Sequence, residues 1–225
     1  MTKAIILLSG GLDSTVVLAL ALSQGRTCNV ISFDYGQRHI VELESAKKIA
    51  AYYKVDHKII KIDPSAFGMS SLMADKTHTS HLKIPENRTL EEMTLQGIPN
   101  TYVPARNTLF LAYALGQCEL QNAQEIHFGS NKMDYAGYAD CRPVFLEAFQ
   151  SLMKYATKQS IEGAPPRLIV PLIEWDKTEI IRQGLALNAP LEMTLSCYNP
   201  QEFHPCERCD ACILRKDGFS RAGHE

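Results

Sequence analysis

The sequence predicts an α/β fold, a doubly wound parallel sheet with a small metal-binding segment at its C-terminal end. Three observations lead there. Apolar runs of strand length alternate with helix-period stretches, a glycine-rich turn joins the first strand to the first helix, and four of the seven cysteines fall between Cys197 and Cys212.

Strand-length apolar runs lie at Ala4 to Leu8, Asn29 to Phe33, His57 to Ile62 and Glu125 to Phe128, each closed by polar or glycine punctuation. After the first, Val16, Ala19, Leu20 and Leu22 recur at helical spacing; after the second, Ile40, Leu43, Ala46, Ala50 and Tyr53 do. A third helix runs from Arg106 to Leu120, with Leu109, Ala112, Tyr113, Gly116 and Leu120 expected to share its apolar face. A fourth follows Pro143 with Val144, Ala148, Leu152 and Tyr155. Arg167 to Leu172 reads as a last strand, and Asp176 with Glu179 forms a capping-box-like start to a helix ending before Asn188. In such a sheet ligands bind beyond the carboxyl ends of the strands, where Ser9, Asp34 and Gly129 emerge.

At 225 residues, 45% hydrophobic and 21% charged, the chain has ordinary globular composition, and its net charge of -2 lacks the basic excess of a nucleic-acid binder. The apolar start is cut off at Ser9 without a cleavage pattern or the length of a membrane span, so a cytoplasmic protein with no membrane partner is expected. Residues 1–190 are expected to form the main domain and 191–225 the cysteine segment. Within the first, 63–102 loses periodicity over far more than the usual connection of about 4 to 6 residues, the pattern of a lid or mobile insertion.

The turn from Leu8 to Thr15 carries Ser9, Gly10, Gly11, Leu12, Asp13 and Ser14 at a strand-to-helix joint, where backbone amides and the helix dipole favour phosphate. A Walker loop is excluded, because no GK[ST] follows to supply a lysine. The hexapeptide matches SGGxDS, the PP-loop of the ATP pyrophosphatases. In proteins this segment resembles, the loop grips the β and γ phosphates of ATP and leaves the α phosphorus open to an acceptor oxygen. Asp13 suits a Mg²⁺ that bridges the phosphates; a plain helix cap is the alternative.

Cys197, then Cys206, Cys209 and Cys212 at CxxC spacing, can converge on one tetrahedral ion. Zinc suits four thiolates, and with every position filled the site is structural, a staple between the C-terminal segment and the main domain. The same spacing also serves an iron–sulfur cluster.

With DYGQRH at Asp34 to His39, GIPNTYVPARN at Gly97 to Asn107, DYAGYADCR at Asp134 to Arg142 and SCYNPQEFHPCERCDAC at the end, the chain resembles the 7-cyano-7-deazaguanine synthase family nearly end to end. The resemblance implies an adenine nucleotide alpha-hydrolase-like fold, a structural zinc and a homodimer. It also implies conversion of 7-carboxy-7-deazaguanine, ammonia and ATP to the nitrile of queuosine biosynthesis, through an adenylated intermediate. Thr2 stands where an amidotransferase would carry its N-terminal cysteine, and Cys28, Cys118 and Cys141 lie outside any glutaminase motif, so free ammonia is the expected nitrogen source.

Asp13, Ser14, Arg106 and Asp134 are the candidates for the chemistry, with Arg106 and Arg142 suited to a carboxylate or phosphate. Gln37, His39, Asn107, Tyr135, Tyr138, Asp140 and Arg142 are the candidates for the purine-like acceptor. A carboxylate at Asp134 or Asp140 would take the guanine-type edge while Tyr135 or Tyr138 stacks. The sequence departs from the family at Ala139, where proline is common, and at Ala105, where glycine is common. A tRNA-modifying PP-loop enzyme, a sulfonucleotide reductase and a zinc-ribbon binding module on a nucleotide-binding scaffold are the rival readings. The first needs an RNA-binding surface or reactive cysteine pair, and neither is visible; the second needs a reactive cysteine, whose candidates lie mostly in the cluster; the intact loop argues against the degenerate scaffold of the third.

Overall fold

The computed structural model describes residues 1–68, 70–73, 82–95 and 97–224, without the side chains of 94, 95, 135 and 136. Among these residues five strands form one parallel sheet: β1 Lys3–Leu7, β2 Thr27–Asp34, β3 Asp56–Lys61, β4 Glu125–His127 and β5 Arg167–Ile169. Their order is β3-β2-β1-β4-β5. The chain starts in the middle, winds out to one edge and returns to the other side of β1, so the switch point lies between β1 and β4.

Helices cover both faces. α1 Leu12–Ser23, α2 Glu42–Tyr53, α3 Leu90–Leu95, α4 Arg106–Gln121, α5 Lys132–Gly137, α6 Pro143–Met153, α7 Lys158–Ile161, α8 Lys177–Ala186 and α9 Asp210–Ala222 follow in chain order. Alternation along β1 divides the core: Ile5 and Leu7 pack with Leu111, Leu115 and Phe149 of α4 and α6, while Ala4 and Ile6 pack with Val16, Ile49 and Ile180 of α1, α2 and α8. α1 is buried nearly all round, as a helix between the sheet and α8 must be. No helix among the described residues is long and apolar enough to cross a membrane.

Two helix faces differ from expectation. α4 turns Asn107, Leu111, Ala114, Leu115 and Cys118 inward, leaving Tyr113 and Leu120 exposed. α6 buries Leu146, Phe149 and Met153 and exposes Val144 and Leu152, and Tyr155 just past its end is exposed too. Both helices carry apolar residues on two stripes, and spacing alone does not say which one meets the sheet. In α4 the inward stripe has the small Ala114 and Cys118, which let the helix lie close on β4.

The described part of 63–102 is docked rather than detached. Leu72 and Met73 are buried in the core, Ile84 packs among the cysteines, and the amide of Asn87 donates to the carbonyl of Arg208 at 2.8 Å. The cysteine segment is likewise joined to the main body: α9 lies on α8, so closely at Gly218 that a Cβ there would stand 2.8 Å from Ile181 and Lys177 side-chain atoms.

At the amino end of β4, away from the switch point, Glu125 is fully buried and receives Arg26 Nε at 3.1 Å, His127 Nε2 at 2.9 Å and Arg167.

Candidate active site

The carboxyl ends of β1 and β4 diverge over a cavity of about 270 Å³. Its floor is the turn after β1. Gly10 holds φ +90°, and a Cβ there would meet the Glu42 carbonyl oxygen at 2.2 Å, so only glycine allows the turn to lie against the start of α2. Ser14 organises the turn: its Oγ accepts from the Ser9 amide at 3.2 Å, lies 3.0 Å from Ser9 Oγ and donates to the Gly11 carbonyl at 3.1 Å. The first amides of α1 have no acceptors within the helix, and that end of α1 faces the cavity.

Asp13 projects from that first turn. Lys177 Nζ, on the first residue of α8, lies 2.7 and 2.8 Å from its two oxygens, and Asn131 Nδ2 donates to Oδ2 at 2.8 Å. Asn131 also caps α5, where its side chain accepts from Met133 and Asp134 while its own amide donates to Asp134 Oδ2 at 3.2 Å. Asn131 thus sets two carboxylates side by side. Burial, and then the charge of Asp13, push the Asp134 carboxyl up to about 6. Two carboxylates at a phosphate loop are the oxygen donors a Mg²⁺ takes alongside phosphate and water.

Arg106, at the start of α4, reaches across the cavity, donating to Tyr35 Oη at 3.3 Å with its guanidinium over the Tyr35 and Phe110 rings. His39 Nε2 is 3.5 Å from Glu42 Oε1 on the same side. Burial lowers His39 to about 4 and raises Glu42 to about 8. Asn107 and Tyr138 complete the lining. Cys141 lines it too; burial pushes its thiol well above the usual range, which keeps it protonated and unsuited to nucleophilic attack.

Leu8, Ser9, Gly11, Leu12, Asp13, Ser14, His39, Arg106, Asn107, Asp134 and Tyr138 therefore share one cavity wall. Five candidates stand elsewhere. Gly10 is turned away from the lining, against the Glu42 carbonyl at the start of α2. Thr15 is buried, its Oγ1 tied to the Gly11 carbonyl. Gln37 is buried between the Tyr35 amide and the Phe33 carbonyl, holding the β2 exit in place. Asp140 accepts from the Asn107 amide at 2.8 Å and from its Nδ2 at 3.3 Å, and so anchors the start of α4, outside the lining. Arg142 is exposed just ahead of α6, outside the lining. The Tyr135 side chain lies outside the described residues. Lys177, Glu42, Asn131, Ser196 and Arg215 line the site without having been expected there. Lys177 comes 164 residues after Asp13, and no local motif marks it.

The four cysteine Sγ atoms lie within 4.8 Å of one another. Tetrahedral zinc with Zn–S of about 2.3 Å needs S···S edges of about 3.8 Å, so small side-chain shifts close the site. Backbone amides already point at the sulfurs: Cys206 and Asn199 donate to Cys197 Sγ at 3.2 and 3.4 Å, and Tyr198 to Cys209 Sγ at 3.4 Å. Hydrogen bonds from Cys209 and Cys212 lower the Cys197 thiol from its ordinary range.

Residues 3–223 match the family model described as "Queuosine biosynthesis protein QueC". Proteins named 7-cyano-7-deazaguanine synthase are similar along nearly their whole length. The one from Kineococcus radiotolerans is 47% identical, with 98% of this chain and 94% of that protein covered, and the one from Trichodesmium erythraeum is 48% identical, with 98% and 97% covered. Among solved structures, NMN synthetase from Francisella tularensis shares the fold at a TM-score of 0.52 and 16% identity, over 100% of this chain and 78% of that one. Matched from end to end by the family model and nearly half identical to its named members, this chain belongs to the QueC family of queuosine biosynthesis proteins.

Proposed function

We propose that the chain is a 7-cyano-7-deazaguanine synthase, an ATP-dependent carbon–nitrogen ligase that converts 7-carboxy-7-deazaguanine and ammonia to the nitrile in queuosine biosynthesis. The observation that carries this is the placement of an SGGxDS phosphate loop and Arg106 on one cavity, with Asp13 held between Lys177 and Asn131.

A carboxylate has no leaving group for ammonia to displace, and adenylation supplies one. With the β and γ phosphates on the loop amides and Lys177 beside them, the substrate carboxylate oxygen attacks the α phosphorus and pyrophosphate departs. Ammonia attacks the acyl carbon, AMP leaves with the bridging oxygen, and a proton is lost to give the amide. A second activation, at the amide oxygen, followed by loss of AMP and two protons, yields the nitrile. Arg106 is suited to orient the carboxylate bidentately, and Tyr138 to stack on the base. Pre-positioned charge is the main catalytic contribution. Asp13 and Asp134 would hold Mg²⁺, which neutralises phosphate charge when bound.

The four cysteines hold zinc in this reading, with no redox role. The enzyme works in the cytoplasm on small molecules, without a nucleic-acid partner, as a homodimer for which the exposed Val144, Leu152, Tyr155 and Ile161 offer apolar surface.

The test is to incubate the protein with 7-carboxy-7-deazaguanine, ammonium, Mg²⁺ and ATP, following pyrophosphate and product mass beside an Asp13→Ala variant. The nitrile mass, absent with the variant, is expected. Pyrophosphate without a new base product would move the acceptor elsewhere, and no ATP turnover would overturn the reading.

A further inference from the structure

We propose that Ser196 is a phosphate ligand of the nucleotide site and that the metal-binding cysteine beside it fixes its position, so that metal retention and ATP affinity are coupled. The inference rests on the reading that the cavity takes ATP.

The strand of chain entering the cysteine cluster lies directly on the phosphate loop. The Leu195 amide donates to the Gly10 carbonyl at 3.0 Å, and one residue later Ser196 Oγ accepts from the Leu12 amide at 3.2 Å. A Cβ added at Gly11 would stand 3.7 Å from both the Leu195 carbonyl and Ser196 Oγ, which puts the two segments in contact across the loop. Leu12 is the first residue of α1, so its amide is one of the donors that face an incoming phosphate. Ser196 takes up that donor with its oxygen and keeps its own O–H, which meets no acceptor among the described residues, on the cavity wall. A phosphate oxygen approaching α1 would accept from this hydroxyl, which the Leu12 amide orients and polarises.

The next residue is Cys197, 3% exposed, whose sulfur gathers the Asn199 and Cys206 amides. Tyr198, also on the cavity wall, is tied by its amide to Cys209 Sγ. Ser196 therefore hangs between the phosphate loop on one side and the four sulfurs on the other. Arg215 gives the same segment a second tie. It sits on α9, whose N-cap is Cys209, lines the cavity, and donates to Thr194 Oγ1 at 2.6 Å and the Leu191 carbonyl at 2.9 Å. A metal that draws the sulfurs together sets the Ser196 hydroxyl, and a phosphate bound to that hydroxyl holds the sulfurs in return. Coupling of binding free energies is reciprocal.

The experiment uses the metal-loaded protein and two measurements. Calorimetric titration with a non-hydrolysable ATP analogue and Mg²⁺ compares wild type with Ser196→Ala and Ser196→Thr. The alanine variant is expected to bind about tenfold more weakly, the loss of one hydrogen bond to a charged acceptor, and the threonine variant to recover most of the affinity. Transfer of metal to a chromogenic chelator is then followed with and without the analogue: the analogue slows release from wild type and leaves release from Ser196→Ala unchanged. Equal affinity of the alanine variant and wild type, or an analogue that binds wild type without slowing metal release, overturns the proposal. A wild-type protein that binds no nucleotide overturns instead the reading on which the proposal rests.

Discussion

Lys177 Nζ bridges both carboxylate oxygens of Asp13, at 2.7 and 2.8 Å, although the two residues stand 164 positions apart. The loop sequence lacks the lysine that a Walker loop carries, and the fold supplies one from α8 instead. Asp176 caps that helix by accepting from the Glu179 amide at 2.9 Å, and Gly218 lets α9 press against the Lys177 stem. The ammonium is thus aimed at the phosphate loop by packing from the C-terminal segment.

Lys177→Met keeps the apolar stem and removes the charge. Because the pair is partly exposed, at 17% and 19%, stability is expected to change by less than about 1 kcal/mol. ATP affinity is expected to fall about tenfold or more, since a charge-assisted contact to phosphate is lost. Calorimetric titration beside a thermal melt checks both, and unaltered affinity would assign Lys177 only to holding Asp13.

The legible parts of this protein are those whose physics is local. The apolar run of Ala4 to Leu8 and the glycines after Ser9 give a strand, a tight turn and a helix start within a few residues. Cys206, Cys209 and Cys212 sit at ligand spacing. Where a residue's place depends on what the fold brings to it, the sequence is silent: Lys177 and Asn131 carry no motif, nothing marks Ser196 as a neighbour of the phosphate loop, and the hold of Asp140 on Asn107 is visible only in the fold. The faces of α4 and α6 belong to the same class, because each helix has two apolar stripes and only the sheet selects one.

Ala105 precedes α4 at φ +54°, in the left-handed region that disfavours a Cβ. Glycine, common here in the family pattern, removes that strain. Ala105→Gly is expected to raise the stability by about 0.5 to 1 kcal/mol, the left-handed penalty less the greater freedom of glycine in the unfolded chain. Denaturant midpoints at constant slope measure it, and a lower midpoint would contradict the backbone assignment.

Glu125 is a structural carboxylate at the far end of β4. Burial alone would raise it, but hydrogen bonds from Arg26 and His127 outweigh that and hold it down to about 2. Its contribution is therefore complete above the ordinary carboxylate range and is lost as the pH falls toward about 2. Glu125→Gln is expected to cost about 3 kcal/mol near neutrality, with two arginines losing their partner, and to flatten the acid limb of the stability profile. ATP affinity should be unchanged, because the cluster lies at the opposite end of the sheet; a large affinity loss would show that it reaches the site.

Glu42 has the opposite sign. It lies on the cavity wall near Gln37 and His39, and burial raises its carboxyl to about 8, above its ordinary value of 4.5, with Arg106 opposing the shift. Between those two values the unfolded chain gives up the proton and the folded one keeps it, so stability falls as the pH rises through that window. Over pH 5 to 8 the loss is on the order of 3 kcal/mol, and Glu42→Gln, which stays neutral, is expected to abolish this slope and to melt higher than wild type at pH 8. Thermal melts of both proteins across that range check the sign through their difference, because His39, lowered to about 4, gains stability between pH 5 and 6.5 in both: a gap between variant and wild type that fails to widen toward pH 8 would show that Glu42 is ionised in the folded protein.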